Sequence, residues 1–115
     1  MKSLTNTIVE FDFSENILRI TIKGDIDHHS AKRIRESIDN QIISKKPLII
    51  ILELNCVEFM DSSGLGLILG RYTLACEIGA KIILYKPSRR IRKILELAGI
   101  ERIIEIEGDG NNEAC

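Results

Sequence analysis

Several features that would place this 115-residue chain in a particular class of protein are missing from it. It has only 2 prolines and 8 glycines, too few for a fibre, while 44% of its residues are apolar, as in an ordinary folded globule. The longest unbroken aliphatic run, Leu48 to Leu52, is far shorter than the ~20 residues that a membrane-crossing helix needs, and the first residues carry no apolar signal segment. We therefore expect one folded domain in the cytoplasm, with no membrane span.

The chain also lacks an excess of charge of either sign. Its 16 Lys and Arg residues are balanced by 17 Asp and Glu residues, for a net charge of -1. Proteins that bind nucleic acid without sequence preference use a broad basic field, which this composition does not supply. We therefore expect no direct contact with nucleic acid.

Cysteine is scarce as well. The chain has 3 cysteines, Cys56, Cys76 and Cys115, an odd number in which no C-x-x-C pair occurs. This pattern argues against a disulfide framework and against a structural zinc site. The neighbouring His28 and His29 do not complete a metal site, because side chains adjacent in sequence diverge and no second cluster of ligands follows. We expect free thiols and no bound metal.

No motif of nucleotide or nucleophile chemistry is complete. The phosphate loop G-x-x-x-x-G-K-[ST] is absent, and Leu69 occupies the position where a dinucleotide-binding G-x-G-x-x-G needs its last glycine. The serine hydrolase elbow G-x-S-x-G is absent because no glycine lies two residues before Ser62 or Ser63. We expect no catalytic residue and no cofactor, while an enzyme that uses Ser62 with His28 remains an alternative.

Hydrophobic periodicity predicts an α/β fold. Alternating apolar residues predict a hairpin, and apolar residues at helical spacing predict three helices, the first with Asp39 on its polar face. The continuous runs Leu48–Leu52 and Lys81–Tyr85 favour strands covered on both faces. Strand-helix-strand units pair in parallel through right-handed crossovers, so we expect a mixed sheet of four or five strands. The predicted elements are a hairpin over 9–22, helices over 30–44, 63–79 and 88–99, strands over 48–52 and 81–85 and an edge strand over 102–106, in a single domain over 1–106 with a disordered polar tail over 107–115.

The loops that follow the parallel strands carry the candidate chemistry. They span 25–29, 55–62 and 86–88, and loops of this kind meet at the carboxyl edge of the sheet, where open α/β sheets place their sites. In the second loop, Asp61, Ser62 and Ser63 begin a helix. These are ordinary capping residues, but a phosphate on an exposed hydroxyl there would also lie at the positive end of the helix. This predicts a phosphoserine switch and leaves open which serine carries it.

Two neighbouring features leave alternatives open. Phe59 and Met60 either pack in the core beneath this helix or form a ridge that contacts a partner. Gly66 and Gly70 lie inside the helix, where glycine costs up to ~1 kcal/mol relative to alanine. We therefore expect another element of this chain, or a docked protein, to approach the helix closely at these glycines.

The sequence resembles the STAS domain family at two motifs. The first is Asp61-Ser62-Ser63-Gly64-Leu65-Gly66, which follows a predicted buried strand, and the second is Gly24-Asp25-Ile26-Asp27-His28-His29-Ser30-Ala31. Together they are most similar to the anti-sigma factor antagonists of this family, and among those to the sporulation branch that acts on the anti-sigma F factor. The resemblance extends from about Val9 to Ile106 and implies the STAS fold for that stretch.

This resemblance implies a regulator that switches between partners. Unphosphorylated members bind an anti-sigma factor that is also a serine kinase and thereby free a sigma factor. The kinase inactivates the antagonist by phosphorylating the serine that corresponds to Ser62, and a PP2C-type phosphatase restores it. A general-stress or other STAS module with a different kinase partner is the alternative. The implied partner-binding residues, with Asp27 as a contact to the anti-sigma factor, are Asp27, His28, Asp61, Ser62, Ser63, Gly64 and Gly66.

Overall fold

The fold is described for residues 6–111 and 115 in a computed structural model. The elements in chain order are β1 (Ile8–Ser14), β2 (Ile17–Lys23), α1 (His28–Lys45), β3 (Ile49–Cys56), α2 (Ser62–Ile78), β4 (Lys81–Tyr85), α3 (Arg89–Leu97), a 3-10 turn (Ile100–Arg102) and β5 (Glu105–Glu107). The strands form one sheet in the order β1-β2-β3-β4-β5, in which β1 and β2 are antiparallel and all later neighbours are parallel. This confirms the predicted mixed sheet with an N-terminal hairpin. No helix within the described ranges is long and apolar enough to cross a membrane.

Helix α1 begins two residues before the predicted start because Asp27 is its N-cap. The Asp27 carboxylate accepts hydrogen bonds from the backbone N–H groups of His29 and Ser30, both at 3.0 Å. The Ser30 hydroxyl in turn accepts from the Asp27 N–H at 2.9 Å, which completes a capping box. The conformation that begins α1 is therefore held by two side chains at once.

The strands alternate between buried and half-buried residues. In β3, Ile50, Leu52 and Leu54 are buried, whereas Ile49 and Ile51 are only half-buried. Each new strand is added on the same side of the last, and parallel connections follow right-handed crossovers as a rule, so the helices are expected on one face of the sheet, in agreement with the alternating burial of β3. The prediction that this run is covered on both faces is therefore wrong.

A buried arginine joins α2 to α1. Arg71 is 6% exposed, and its Nε lies 2.9 Å from Oδ1 of Asp39. These two atoms form an ion pair but not a hydrogen bond, because the Nε–H does not point at the oxygen. Its Nη1 donates to the carbonyl of Leu67 at 3.2 Å. Burial lowers the pKa of Arg71, and the negative charge of Asp39 opposes that shift. Asp39, predicted to lie on the polar face of α1, is therefore the counterion of a buried charge.

The segment that follows β5 differs from the predicted disordered tail over 107–115. Glu107 ends β5, and the backbone then continues alongside the loop after β4, where the Gly110 N–H donates to the carbonyl of Pro87 at 3.0 Å. The Asn111 N–H donates to Oδ1 of Asn55 at 3.0 Å. Residues 112–114 of the predicted tail lie outside the described residues. We call residues 108–111 and 115 the post-β5 segment.

The expectation of free thiols is wrong for two of the three cysteines. Cys56 at the end of β3 forms a disulfide with Cys115, and only Cys76 on α2 is free. The two bonded residues are 59 positions apart in the chain. The odd cysteine count could not reveal the pair, because their proximity is created by the path of the post-β5 segment back to β3.

Candidate functional site

Two of the three predicted loops are joined to each other at the carboxyl edge of the sheet. The Ile26 N–H donates to the carbonyl of Phe59 at 2.9 Å, and the Asp61 N–H donates to the carbonyl of Ile26 at 3.2 Å. Ile26 and Met60 thereby form an isolated parallel bridge. This bridge brings the starts of α1 and α2 together, because Asp27 directly follows Ile26 and Asp61 directly follows Met60.

Ser62 is the first residue of α2 and is exposed to solvent. Asp61 is the N-cap, and its carboxylate accepts from the Ser63 N–H at 2.7 Å. The Ser62 hydroxyl makes no hydrogen bond to any of the described residues. Ser63 is half-buried, so the two serines that the sequence left open differ in accessibility. Ser62 presents an unengaged hydroxyl at the positive end of a 17-residue helix.

Asp27 and His28 lie beside this hydroxyl-bearing loop at the start of α1. Hydrogen bonds, chiefly from the Ser30 N–H, hold the pKa of Asp27 below its ordinary value, partly opposed by desolvation. Its carboxylate is therefore ionised at neutral pH. His28 is exposed, and its ring meets that of His29 edge to face, with centroids 5.6 Å apart. Within residues 6–111 and 115, no three His, Cys, Asp or Glu side chains are grouped so as to hold a metal ion.

Phe59 and Met60 differ in burial, so that neither alternative, core packing or a ridge that contacts a partner, describes both residues. Met60 is 2% exposed and belongs to the core, whereas Phe59 is 46% exposed beside the start of α2. Gly64 makes the burial of Met60 possible, because a Cβ at Gly64 would lie 2.2 Å from Cγ of Met60 and 3.3 Å from Cγ2 of Ile26. The absence of a side chain at Gly64 therefore leaves the space that Met60 occupies under the first turn of α2.

We expect Gly64→Ala to destabilise the fold by about 1–3 kcal/mol, because the new methyl group would displace the buried Met60 side chain. The matched control is Gly66→Ala in the same helix, where a Cβ would meet nothing within 4 Å. The control should gain up to ~1 kcal/mol from its better helix propensity. Chemical denaturation of both variants measures the two changes, and a shift in the same direction for both would contradict the packing account.

Gly66 and Gly70 lie beside an open groove between α1 and α2. The groove has a volume of about 410 Å³, and its charged lining residues are all basic. A Cβ on either glycine would meet no atom within 4 Å. The expectation that another element of this chain approaches the helix closely at these glycines is therefore wrong for the part of the chain that the structure describes. The other expectation, a docked protein, stays a prediction. The lining consists of His28, Ala31, Lys32, Arg35, Ser63, Gly66, Leu67, Gly70 and Arg71.

The third predicted loop, 86–88, lies beside the post-β5 segment. The Lys86 N–H donates to the carbonyl of Glu107, the last residue of β5, at 2.7 Å, and the Gly110 N–H of the segment donates to the carbonyl of Pro87 at 3.0 Å. A second cavity, of about 490 Å³, is bounded by the second loop at Glu58, by the start of α3 and by the post-β5 segment at Gly110 and Asn111. All three loops therefore contribute to the carboxyl edge, but the third meets the second across this cavity.

Comparison with known proteins agrees with this architecture. The model of the STAS domain family matches residues 9–110. The anti-sigma F factor antagonist of Paenibacillus polymyxa is 32% identical over 101 residues, which cover 88% of this chain and 86% of the relative. That of Lysinibacillus sphaericus is 37% identical over 81 residues, which cover 70% and 69%. The anti-sigma-B factor antagonist of Bacillus subtilis is 31% identical over 101 residues, which cover 88% and 91%.

Two solved structures show the same fold. The anti-sigma factor antagonist SpoIIAA in its unphosphorylated form matches with a TM-score of 0.77 at 29% identity, over 93% of this chain and 92% of that one. SpoIIAA of Bacillus, a cell fate determinant, matches in its phosphorylated form with a TM-score of 0.71 at 29% identity, over 93% and 96%. The fold described above is therefore similar to that of SpoIIAA in both its unphosphorylated and its phosphorylated form.

Proposed function

The chain belongs to the STAS domain family, and from that premise we propose that it is an anti-sigma factor antagonist. In its unphosphorylated form it binds an anti-sigma factor that is a serine kinase, and a sporulation sigma factor is released. Phosphorylation of Ser62 prevents this binding, and a PP2C-type phosphatase restores it. The observation that carries the proposal is the exposed, unengaged hydroxyl of Ser62 at the start of α2.

The local electrostatics suit a switch of this kind. A phosphate adds a charge of about -1.5 to -2, and the first turn of a helix stabilises such an anion. The same phosphate would stand on an edge that already carries the Asp27 and Asp61 carboxylates, each acting as a helix cap. The modified protein would remain folded while presenting a strongly negative surface to its partner.

The partner-binding surface that we propose centres on Ser62. Asp27 and His28 border it from α1 through the Ile26–Met60 bridge. Asp61 and Ser63 hold the first turn of α2 in place, Gly64 lets that turn settle on Met60, and Gly66 leaves the adjoining groove open. In this surface the exposed hydroxyl lies where a kinase that docks on the edge can reach it. The phosphate comes from the kinase's nucleotide, so this chain needs no cofactor and no catalytic residue of its own.

A general-stress role is the second candidate, and one observation favours it. The anti-sigma-B factor antagonist of Bacillus subtilis is 31% identical, nearly the same as the 32% of the anti-sigma F factor antagonist of Paenibacillus polymyxa. Titration calorimetry with an anti-sigma F kinase and an anti-sigma-B kinase under the same conditions separates the two roles. Tighter binding of the anti-sigma-B kinase would reject the sporulation assignment.

Phosphorylation by the anti-sigma kinase is expected to stop when Ser62 is replaced. Wild-type protein incubated with kinase and ATP should gain one phosphate, and Ser62→Ala should gain none. Ser63→Ala should still be modified, because the exposed Ser62 is retained and the half-buried Ser63 is not the target. Intact-protein mass spectrometry followed by peptide mapping measures this. A phosphate on Ser63, or modification of Ser62→Ala, would overturn the assignment of the site.

A further inference from the structure

The post-β5 segment is bound to the carboxyl edge by contacts that do not depend on the disulfide. The Gly110 N–H donates to the carbonyl of Pro87, and the Asn111 N–H donates to Oδ1 of Asn55, each at 3.0 Å. Nη2 of Arg92 donates to the carbonyl of Gly108 at 2.8 Å. These bonds hold the segment beside Asn55, the residue that precedes Cys56.

Gly110 fits so closely that a side chain could not replace its hydrogen. A Cβ there would lie 2.2 Å from the carbonyl oxygen of Lys86 and 2.6 Å from Oδ1 of Asn55. The segment therefore has a defined seat between the end of β3 and the loop after β4. With the segment seated, the Cα atoms of Cys56 and Cys115 are 5.5 Å apart, within the range that a disulfide spans.

We propose that Cys56 and Cys115 are a redox modification site, a reversible thiol-disulfide clasp that secures the post-β5 segment on the carboxyl edge. Cys115 is exposed and Cys56 is half-buried, so oxidants and reductants in solution reach the pair. Exposed disulfides are among the more easily reduced ones, in contrast to deeply buried structural bridges. The clasp adds a covalent bond to a segment that hydrogen bonds already position.

The chemistry of the clasp balances with a peroxide as oxidant and a dithiol as reductant. One thiolate attacks an oxygen of hydrogen peroxide, so that an S–O bond forms and the O–O bond breaks; the product is a sulfenic acid, and the second oxygen leaves as hydroxide. The other thiol attacks the sulfenic sulfur, the S–S bond forms and the hydroxyl group leaves as water. Two electrons and two protons pass from the thiols to the peroxide, which becomes two waters. A dithiol reverses the change by thiolate attack on the bridge and returns two electrons and two protons.

The clasp would control the cavity of about 490 Å³ at this edge. Gly110 and Asn111 form one side of that cavity, and Glu58, which lies in the loop that leads to Ser62, contributes to the other. In the oxidised protein this wall is covalently held, whereas in the reduced protein it is held by noncovalent contacts, among them the ion pair between Arg92 and Asp109. The redox state therefore sets how often the edge beside the second loop opens.

Hydrogen exchange of the intact protein tests the clasp. The Cys76→Ser variant serves as background, since it removes the third thiol. After oxidation with hydrogen peroxide, the amides of Gly110 and Asn111 should exchange at least ~10-fold more slowly than after reduction with dithiothreitol, because a closed clasp suppresses local opening. Adding Cys115→Ser should give the fast rate in both conditions.

Three results would overturn the proposal. Peptide mapping could show that peroxide does not join Cys56 to Cys115, the exchange rates could be equal in both states, or dithiothreitol could reduce the bridge only in denaturant. None of these measurements involves a kinase or Ser62. Failure of the clasp is therefore distinguishable from failure of the proposed function.

Discussion

Replacing Ser62 by aspartate is expected to weaken binding of the anti-sigma factor kinase by about tenfold or more. The new carboxylate would stand at the exposed start of α2, on the edge that already carries the carboxylates of Asp27 and Asp61. An added like charge or a desolvated anion at a docking interface readily costs that much affinity. The phosphorylated protein, which carries about 0.5 to 1 more negative charge than the aspartate variant, should bind more weakly still.

The matched control for this effect is Ser37→Asp, which adds the same charge at an exposed position in the middle of α1. Titration calorimetry should give wild-type affinity for Ser37→Asp and for Ser62→Ala, and reduced affinity only for Ser62→Asp. The loss of affinity should also be smaller at high salt, because salt screens the repulsion between exposed charges. Equal affinities for the wild type and Ser62→Asp would rule out the switch, and equal losses for both aspartate variants would show an effect of net charge alone.

Removing the counterion of the buried arginine is expected to be strongly destabilising. Asp39→Ala would leave the Arg71 guanidinium, 6% exposed, without its partner, and stranding a buried charge costs about 3 kcal/mol. Arg71→Met should cost less, about 1–2 kcal/mol, because the Asp39 side chain is 29% exposed and can be hydrated when its partner is gone.

A double-variant comparison makes this asymmetry testable. Asp39→Ala combined with Arg71→Met should be more stable than Asp39→Ala alone, since the stranded charge is then absent. Glu36→Ala, at an exposed position of the same helix, is the control and should change the free energy of unfolding by less than about 0.5 kcal/mol. Urea denaturation measures all four variants. If the double variant were the least stable, the ion pair would not be the source of the loss.

The order of elements was predictable because it is encoded in short-range patterns. Alternation in β2, where Leu18, Ile20 and Ile22 are all buried, and the four-residue spacing of Ile34, Ile38 and Ile42 in α1 each require only a few neighbouring residues to read. Helix α2 starts one residue from its predicted first position, because Asp61 is a strong cap. The carboxyl edge followed from the parallel crossovers.

Features that depend on the strand order or on distant contacts were not predictable in this way. The run from Leu48 to Leu52 has the composition of a strand buried on both faces, yet Ile49 and Ile51 are only half-buried because one face of the sheet is less covered than the other. Asp39 has the spacing of a surface residue, and only the position of α2 turns it into a counterion. The empty space beside Gly66 is likewise a property of how two helices pack.

By itself, the sequence determined the strand and helix types, the capped start of α2 and the edge at which the loops meet, because propensity, capping and chain connectivity act over a few residues. Only the tertiary structure decided that Ser62 is exposed while Ser63 is half-buried, that Met60 is covered while Phe59 is not, and that Cys56 meets Cys115. Each of these depends on which surfaces are brought together by residues far apart in the chain, and no local pattern carries that information.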